Sequence, residues 1–87
     1  MAFNDVVDFK QPIISILEDL GGSARLKEIY RQFAIRYPDV VNAPHWNEKV
    51  DKDLRWRDNI NRCRTRILLP LGFLKKGSKH GTWELNR

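Results

Sequence analysis

Hydrophobic positions along this chain repeat at helical spacing three times and then alternate at strand spacing. Pro12 suits the first turn of a helix, and Ile13, Ile16, Leu17 and Leu20 share one face before Gly21-Gly22 ends it. In the lead-in over residues 1–9, Phe3, Val6, Val7 and Phe9 offer packing anchors. Ser23-Ala24-Arg25 is too short for a helix and predicts a small edge strand. A second helix is predicted from Leu26 to Tyr37, with Leu26, Ile29, Tyr30, Phe33 and Tyr37 as its apolar face and Ile35 on the opposite side; Pro38-Asp39 stops it. Residues 38–52 hold Pro38, Pro44, His45 and Trp46 and few strong helix formers, so this long connection has either a short helix or a job.

The third helix is predicted from Asp53 to Leu71. Trp56, Ile60, Cys63, Ile67 and Leu71 fall within a stripe of about 80° at roughly 100° per residue. Pro70 predicts distortion in the last turn, and Gly72 a C-terminal cap. Gly77 and Gly81 frame a hairpin loop, after which Trp83 and Leu85 should face the core and Thr82 and Glu84 should not. The predicted order is helix, short strand, helix, helix, strand, strand. That is an α+β winged helix: a three-helix helix-turn-helix core with a small antiparallel sheet and a C-terminal wing hairpin.

Length and composition narrow the picture. Eighty-seven residues, 41% of them hydrophobic, suit one small domain spanning 1–87. The formal net charge is +5 and unevenly placed. Residues 1–50 hold 6 Lys/Arg and 7 Asp/Glu, whereas residues 51–87 hold 10 Lys/Arg and 4 Asp/Glu. A neutral half joined to a basic half predicts a polyanion bound at the basic half. Cys63, the one cysteine, lies on the apolar stripe and reads as a buried structural thiol; one Cys and two distant His make neither a disulfide nor a zinc site. No apolar run approaches membrane-spanning length, and the lack of a signal peptide points to the cytoplasm.

Candidate chemistry lies off the apolar stripe of the third helix. Arg57, Asn61 and Arg64 line one flank, Arg55, Arg62 and Arg66 the other, with Asp58, Asn59 and Thr65 among them. Such a layout offers clamps for phosphates and bidentate groups for base edges: Asn61 for adenine, Arg57 or Arg62 for guanine. The hairpin tip adds Lys75, Lys76, Ser78, Lys79 and His80 as phosphate contacts, although such charges also keep an edge strand from aggregating. Trp46, just before the basic helix, has two readings: a lid over the core, or an aromatic face for a base or a base methyl group. Asp39, Glu48 and Asp51 are scattered through a connection and make no metal-dependent active site, so no catalytic residue, metal or cofactor is expected.

A family likeness adds to this. Gly21 to Tyr30, the Trp56 to Ile60 helix segment, Leu68 to Leu74 (Leu-Leu-Pro-Leu-Gly-Phe-Leu) and Gly81-Thr82-Trp83-Glu84-Leu85 resemble the N-terminal winged-helix domain of Mrr-type restriction proteins. The chain is also similar in outline to the winged-helix modules with which restriction endonucleases read methylated adenine. The likeness spans Pro12 to Leu85 and rests mostly on core and turn positions; the 38–52 connection departs from a minimal winged helix. It implies a targeting module that binds double-stranded DNA, cut from or acting beside a nuclease; the segment itself reads as a monomer and not as an enzyme. N6-methyladenine would be the preferred modification and Trp46 the modified-base contact. The rival readings are a stand-alone transcriptional regulator and a winged-helix protein-interaction module.

Overall fold

The apolar stripes of the first two predicted helices, and that of the third as far as Cys63, face the core in the computed structural model, which describes residues 3–86; residues 1–2 of the lead-in lie outside them. The chain is α+β, with four helices and two small antiparallel sheets. A 3₁₀ turn over Val6–Phe9, closed by a reciprocal capping box between Asp5 and Asp8, leads into α1 (Lys10–Asp19). The Asn4 and Asp5 backbone N–H groups both donate to the Asp8 carboxylate and hold it below the usual carboxylate range. Phe3 and Phe9 are buried anchors, but Val7 is exposed.

α1 stops where Gly22, at φ +101°, donates its N–H back to the Leu17 carbonyl. β1 (Ser23–Arg25) then pairs antiparallel with β4 (Thr82–Glu84) in the register Ser23↔Glu84, Ala24↔Trp83, Arg25↔Thr82. α2 (Leu26–Arg36) buries Ile29 and Phe33, and Ile35 faces solvent as its wheel position predicts. The long connection holds a short helix, α3 (Pro38–Val41), with Pro38 in its first turn, and a two-residue hairpin of β2 (Lys49–Val50) and β3 (Asp53–Leu54).

That connection also has a job. α4 (Arg55–Cys63) begins two residues later than the sequence predicts, because Asp53 and Leu54 are taken into β3. No side chain caps α4. Instead the Glu48 carbonyl accepts from the Arg55 N–H at 2.8 Å and the Trp46 carbonyl accepts from the Trp56 N–H at 3.1 Å. Main-chain carbonyls of the connection thus satisfy donors that a helix start leaves without partners.

After Cys63 the helix widens into a π turn over Arg64–Leu68, where the Leu69 N–H reaches the Arg64 carbonyl five residues back. Pro70 lies just beyond and has no N–H to give Arg66, so the α-helical ladder could not have continued there. The extra residue per turn shifts the buried face. Leu68 is fully buried, Ile67 is half-buried and Leu71 is 66% exposed. The predicted stripe through Ile67 and Leu71 is corrected accordingly.

The first arm of the predicted hairpin is reduced to a single bridge, Leu74↔Leu85. The Phe73 and Leu74 N–H groups both still donate to the Leu68 carbonyl, so they are spent on the end of the helix and not on a strand ladder. Trp83 and Leu85 are buried as their alternation predicts. The core is aromatic at its centre: Phe33 stacks between Phe9 (5.4 Å between ring centroids) and Trp56 (5.6 Å).

Candidate nucleic-acid interface

Two grooves flank α4, each lined by basic residues. One groove, of about 320 Å³, lies between α4 and the 77–81 loop. Asn61 and Arg64 form one wall, Ser78, Lys79 and His80 the other, and Leu26, Gly81 and Trp83 close it. A second groove, of about 300 Å³, lies on the opposite flank and is lined by Arg55, Asn59, Arg62 and Arg66 with Asp5, Asp58, Val6 and Val50. Lys75 and Lys76 line neither; they border a third hollow beside Leu69, Pro70, Gly72, Leu74 and Asn86.

The electrostatics of the two flanks differ. In the second groove Arg62 is clamped to Asp58, and Arg55 bonds Glu48 at 2.9 Å and the His45 carbonyl at 3.0 Å. Carboxylates therefore share that groove with its cations. The first groove is lined by no carboxylate. Arg64 and Lys79 make no ion pair among the described residues. Arg64 lies over the Trp83 ring at 5.5 Å, and its Nε is buried without a hydrogen-bond partner. Next along the flank, Arg57 lies over the Tyr30 and Trp56 rings at 5.1 and 5.2 Å, with a long ion pair to Asp53 at 3.7 Å.

Several candidate base readers are committed inside the protein. Asn59 Nδ2 donates to the Arg55 carbonyl at 2.9 Å. Asn61 Nδ2 donates to the Tyr30 hydroxyl at 2.7 Å and to the Arg57 carbonyl at 3.0 Å. An adenine edge needs both ends of an amide, one donating and one accepting. With Nδ2 already engaged, Asn61 offers that edge its Oδ1 alone until the contact to Tyr30 breaks. Thr65 sits exposed with its hydroxyl over the Asn61 and Arg62 carbonyls, both at 3.3 Å. Lys75 bonds Glu84 at 3.3 Å, and Ser78 Oγ donates to the Lys75 carbonyl at 3.4 Å. Lys76, Lys79 and His80 are exposed.

Trp46 is not the spare aromatic that its loop position suggests. It is 7% exposed, its ring meets Phe9 edge-on at 5.3 Å, and its indole N–H donates to the Phe3 carbonyl at 3.2 Å. Both its apolar body and its polar tip are used by the core, which corrects its assignment as a modified-base contact. Tyr30, by contrast, was hidden in the apolar stripe of α2, although its polar tip belongs to the interface with α4. Burial pushes the Tyr30 phenol up from its ordinary range, against the opposing effect of the Asn61 bond. Only its residue type signalled the role: a half-buried tyrosine needs a partner for its hydroxyl. Among the described residues no group of three or more His, Cys, Asp or Glu side chains is placed to hold a metal ion, and no helix is long and apolar enough to cross a membrane. No family model, curated protein or solved structure matches the chain.

Proposed function

We propose that the chain is a winged-helix module that binds double-stranded DNA, with α4 in the major groove and the 75–81 loop as the wing. The observation that carries this reading is the carboxylate-free groove in which Asn61 of α4 and Arg64 of the π turn face Ser78, Lys79 and His80 of the loop. The topology supports this reading too: β4 lies between β1 and the Leu74 bridge, the arrangement expected of a winged helix, with α3 and the β2–β3 hairpin as an insertion. A major groove admits an α-helix. The outer row that runs from α4 into the π turn then presents Asp58, Arg62 and Thr65 to base edges. The Asp58–Arg62 pair is partly exposed and costs little to open. Once apart, Arg62 can fork onto guanine and Asp58 can accept from cytosine.

The narrower reading, a targeting module beside a nuclease domain that prefers methylated adenine, is supported by the likeness to Mrr-type domains. Trp46 supplies no part of it, because the core holds that ring. Selection of bound fragments from natively methylated genomic DNA, beside the same DNA amplified without methylation, tests the preference. Identical fragment sets would remove it and leave a plain duplex binder.

Duplex binding itself is tested by salt titration. The logarithm of affinity should fall linearly with the logarithm of salt concentration. Lys79→Gln and Lys76→Gln should each reduce that slope by about one unit, whatever the DNA sequence. Lys75→Gln, whose partner Glu84 already balances the charge, should change it least. Absence of duplex binding at low salt would overturn the function, and unchanged slopes in all three variants would remove the wing from the interface.

A further inference from the structure

We propose that the groove between α4 and the 77–81 loop is a preformed seat for a single phosphate group, gripped by the Arg64 guanidinium on one wall and Lys79 on the other. The proposal deepens the DNA-binding reading and rests on it for the natural ligand, one phosphodiester of the duplex backbone.

Arg64 is held before any ligand arrives. Its guanidinium lies over Trp83, itself buried, and the enclosed Nε marks a side chain packed flat and not waving in solvent. A buried N–H without a partner is costly, so the stacking contact must hold it there. What remains of the fork can meet a phosphate in the bidentate way that an ammonium cannot.

The facing wall is braced as well. Ser78 Oγ bonds the Lys75 carbonyl, and the Thr82 N–H donates to the Lys79 carbonyl at 2.9 Å, closing the loop on itself. Gly77 and Gly81, both at positive φ, turn the chain at its two ends. Asn61 lines the groove as a neutral side chain already tied to Tyr30. Two cations from separate elements, with no carboxylate between them, therefore converge on one concavity. On the opposite flank Asp58 already occupies Arg62 and Glu48 occupies Arg55, and the carboxylates of Asp5 and Asp58 line the groove beside Arg66, so an anion there meets negative charge as well as positive.

The test has three arms. In the first, inorganic phosphate is titrated into the protein and followed by nuclear magnetic resonance at the Arg64 Nε–H and the backbone amides of residues 78–82. Saturable shifts confined to these signals are expected. Polyglutamate producing the same shifts at equal charge would overturn the assignment to phosphate in favour of an acidic polypeptide.

In the second arm, a bound duplex carries one neutral methylphosphonate, moved along each strand in turn. At one position the wild-type protein should lose about tenfold in affinity, as for one charge-assisted hydrogen-bonded contact, and the Arg64→Ala protein should lose almost nothing further there. Equal losses for both proteins at every position would overturn the seat while leaving duplex binding intact. Should the wild-type protein bind no duplex at all, the function proposed above fails, and the first arm alone decides the seat: shifts support it and their absence overturns it.

The third arm is Arg64→Lys, which keeps the charge and guards against a loss of folding. It should keep the salt slope yet lose several-fold in affinity, with the loss mapping to that same methylphosphonate position. Full affinity in a folded Arg64→Lys protein would show that a bare charge suffices and would overturn the seat.

Discussion

Replacing Trp46 by alanine should destabilise the fold by about 3–5 kcal/mol, the range for deleting a large aromatic ring from a core. The ring is enclosed against Phe9, and its N–H ties the connection to the Phe3 carbonyl in the N-terminal lead-in. Small domains hold only about 5–15 kcal/mol in total, so the variant should lose a large fraction of its stability. Urea denaturation followed by circular dichroism measures this directly. Trp46→Phe keeps most of the buried ring and loses the hydrogen bond, so it should cost about 1 kcal/mol. That milder variant also separates packing from recognition. Where it is folded it should bind methylated and unmethylated duplex in the same ratio as the wild type. A Trp46→Ala protein of unchanged stability would mean the ring is not a core member, and would return it to the list of surface groups.

Alkaline destabilisation gives the second large effect. Burial pushes the Cys63 thiol from its ordinary 9.0 up to about 11. Below 9 the thiol is protonated whether the chain is folded or not, and stability does not depend on it. Between 9 and 11 the unfolded chain releases its proton first, so stability falls as pH rises and the loss is complete above 11. A separation of about two pH units corresponds to about 2–3 kcal/mol. The Tyr30 phenol, also pushed up by burial, acts in the same direction. Chemical denaturation of wild type and Cys63→Ala across that window isolates the cysteine, since tyrosine and lysine titrations are common to both. The wild-type curve should fall more steeply; parallel curves would show that the thiol is not held protonated by the fold. The same burial predicts that Cys63 reacts slowly with alkylating agents until the chain unfolds.

Much of the framework could be read from spacing. Ile13, Ile16 and Leu17, then Ile29 and Phe33, then Trp56, Ile60 and Cys63 are buried where a uniform helical repeat puts them. The alternation at Trp83 and Leu85 located β4, and Ser23-Ala24-Arg25 located its partner. What spacing could not show lies where the repeat changes or where a polar group selects a distant partner. A helical wheel assumes a constant rotation, so it carried the stripe on to Leu71 when the π turn had already moved it to Leu68. Asn61 and Tyr30 lie on different helices, and only their packing shows that one consumes the other's hydrogen-bonding capacity. Trp46 looked unassigned because its partners, Phe3 and Phe9, belong to a lead-in that periodicity leaves blank. At the candidate site, the set of basic residues was legible, but its division into one carboxylate-latched flank and one open flank was not. That division depends on Asp5, Glu48 and Asp58, whose neighbours are set by the fold.

The π turn also makes chain length, and not side-chain chemistry, the quantity that phases the two walls of the basic groove. Arg64 opens that turn, and the loop carrying Lys79 hangs from its far end through the Phe73 and Leu74 bonds to Leu68. Removing one residue between them would let an ordinary α-helical ladder close, at the cost of turning everything downstream by roughly 100° about the helix axis. Leu68 would then leave the core, or the loop would leave the groove. The segment 64–69 therefore tolerates exchange of exposed side chains far more readily than the gain or loss of a single position. Single-residue insertions and deletions here act as a vernier on where the loop meets the helix.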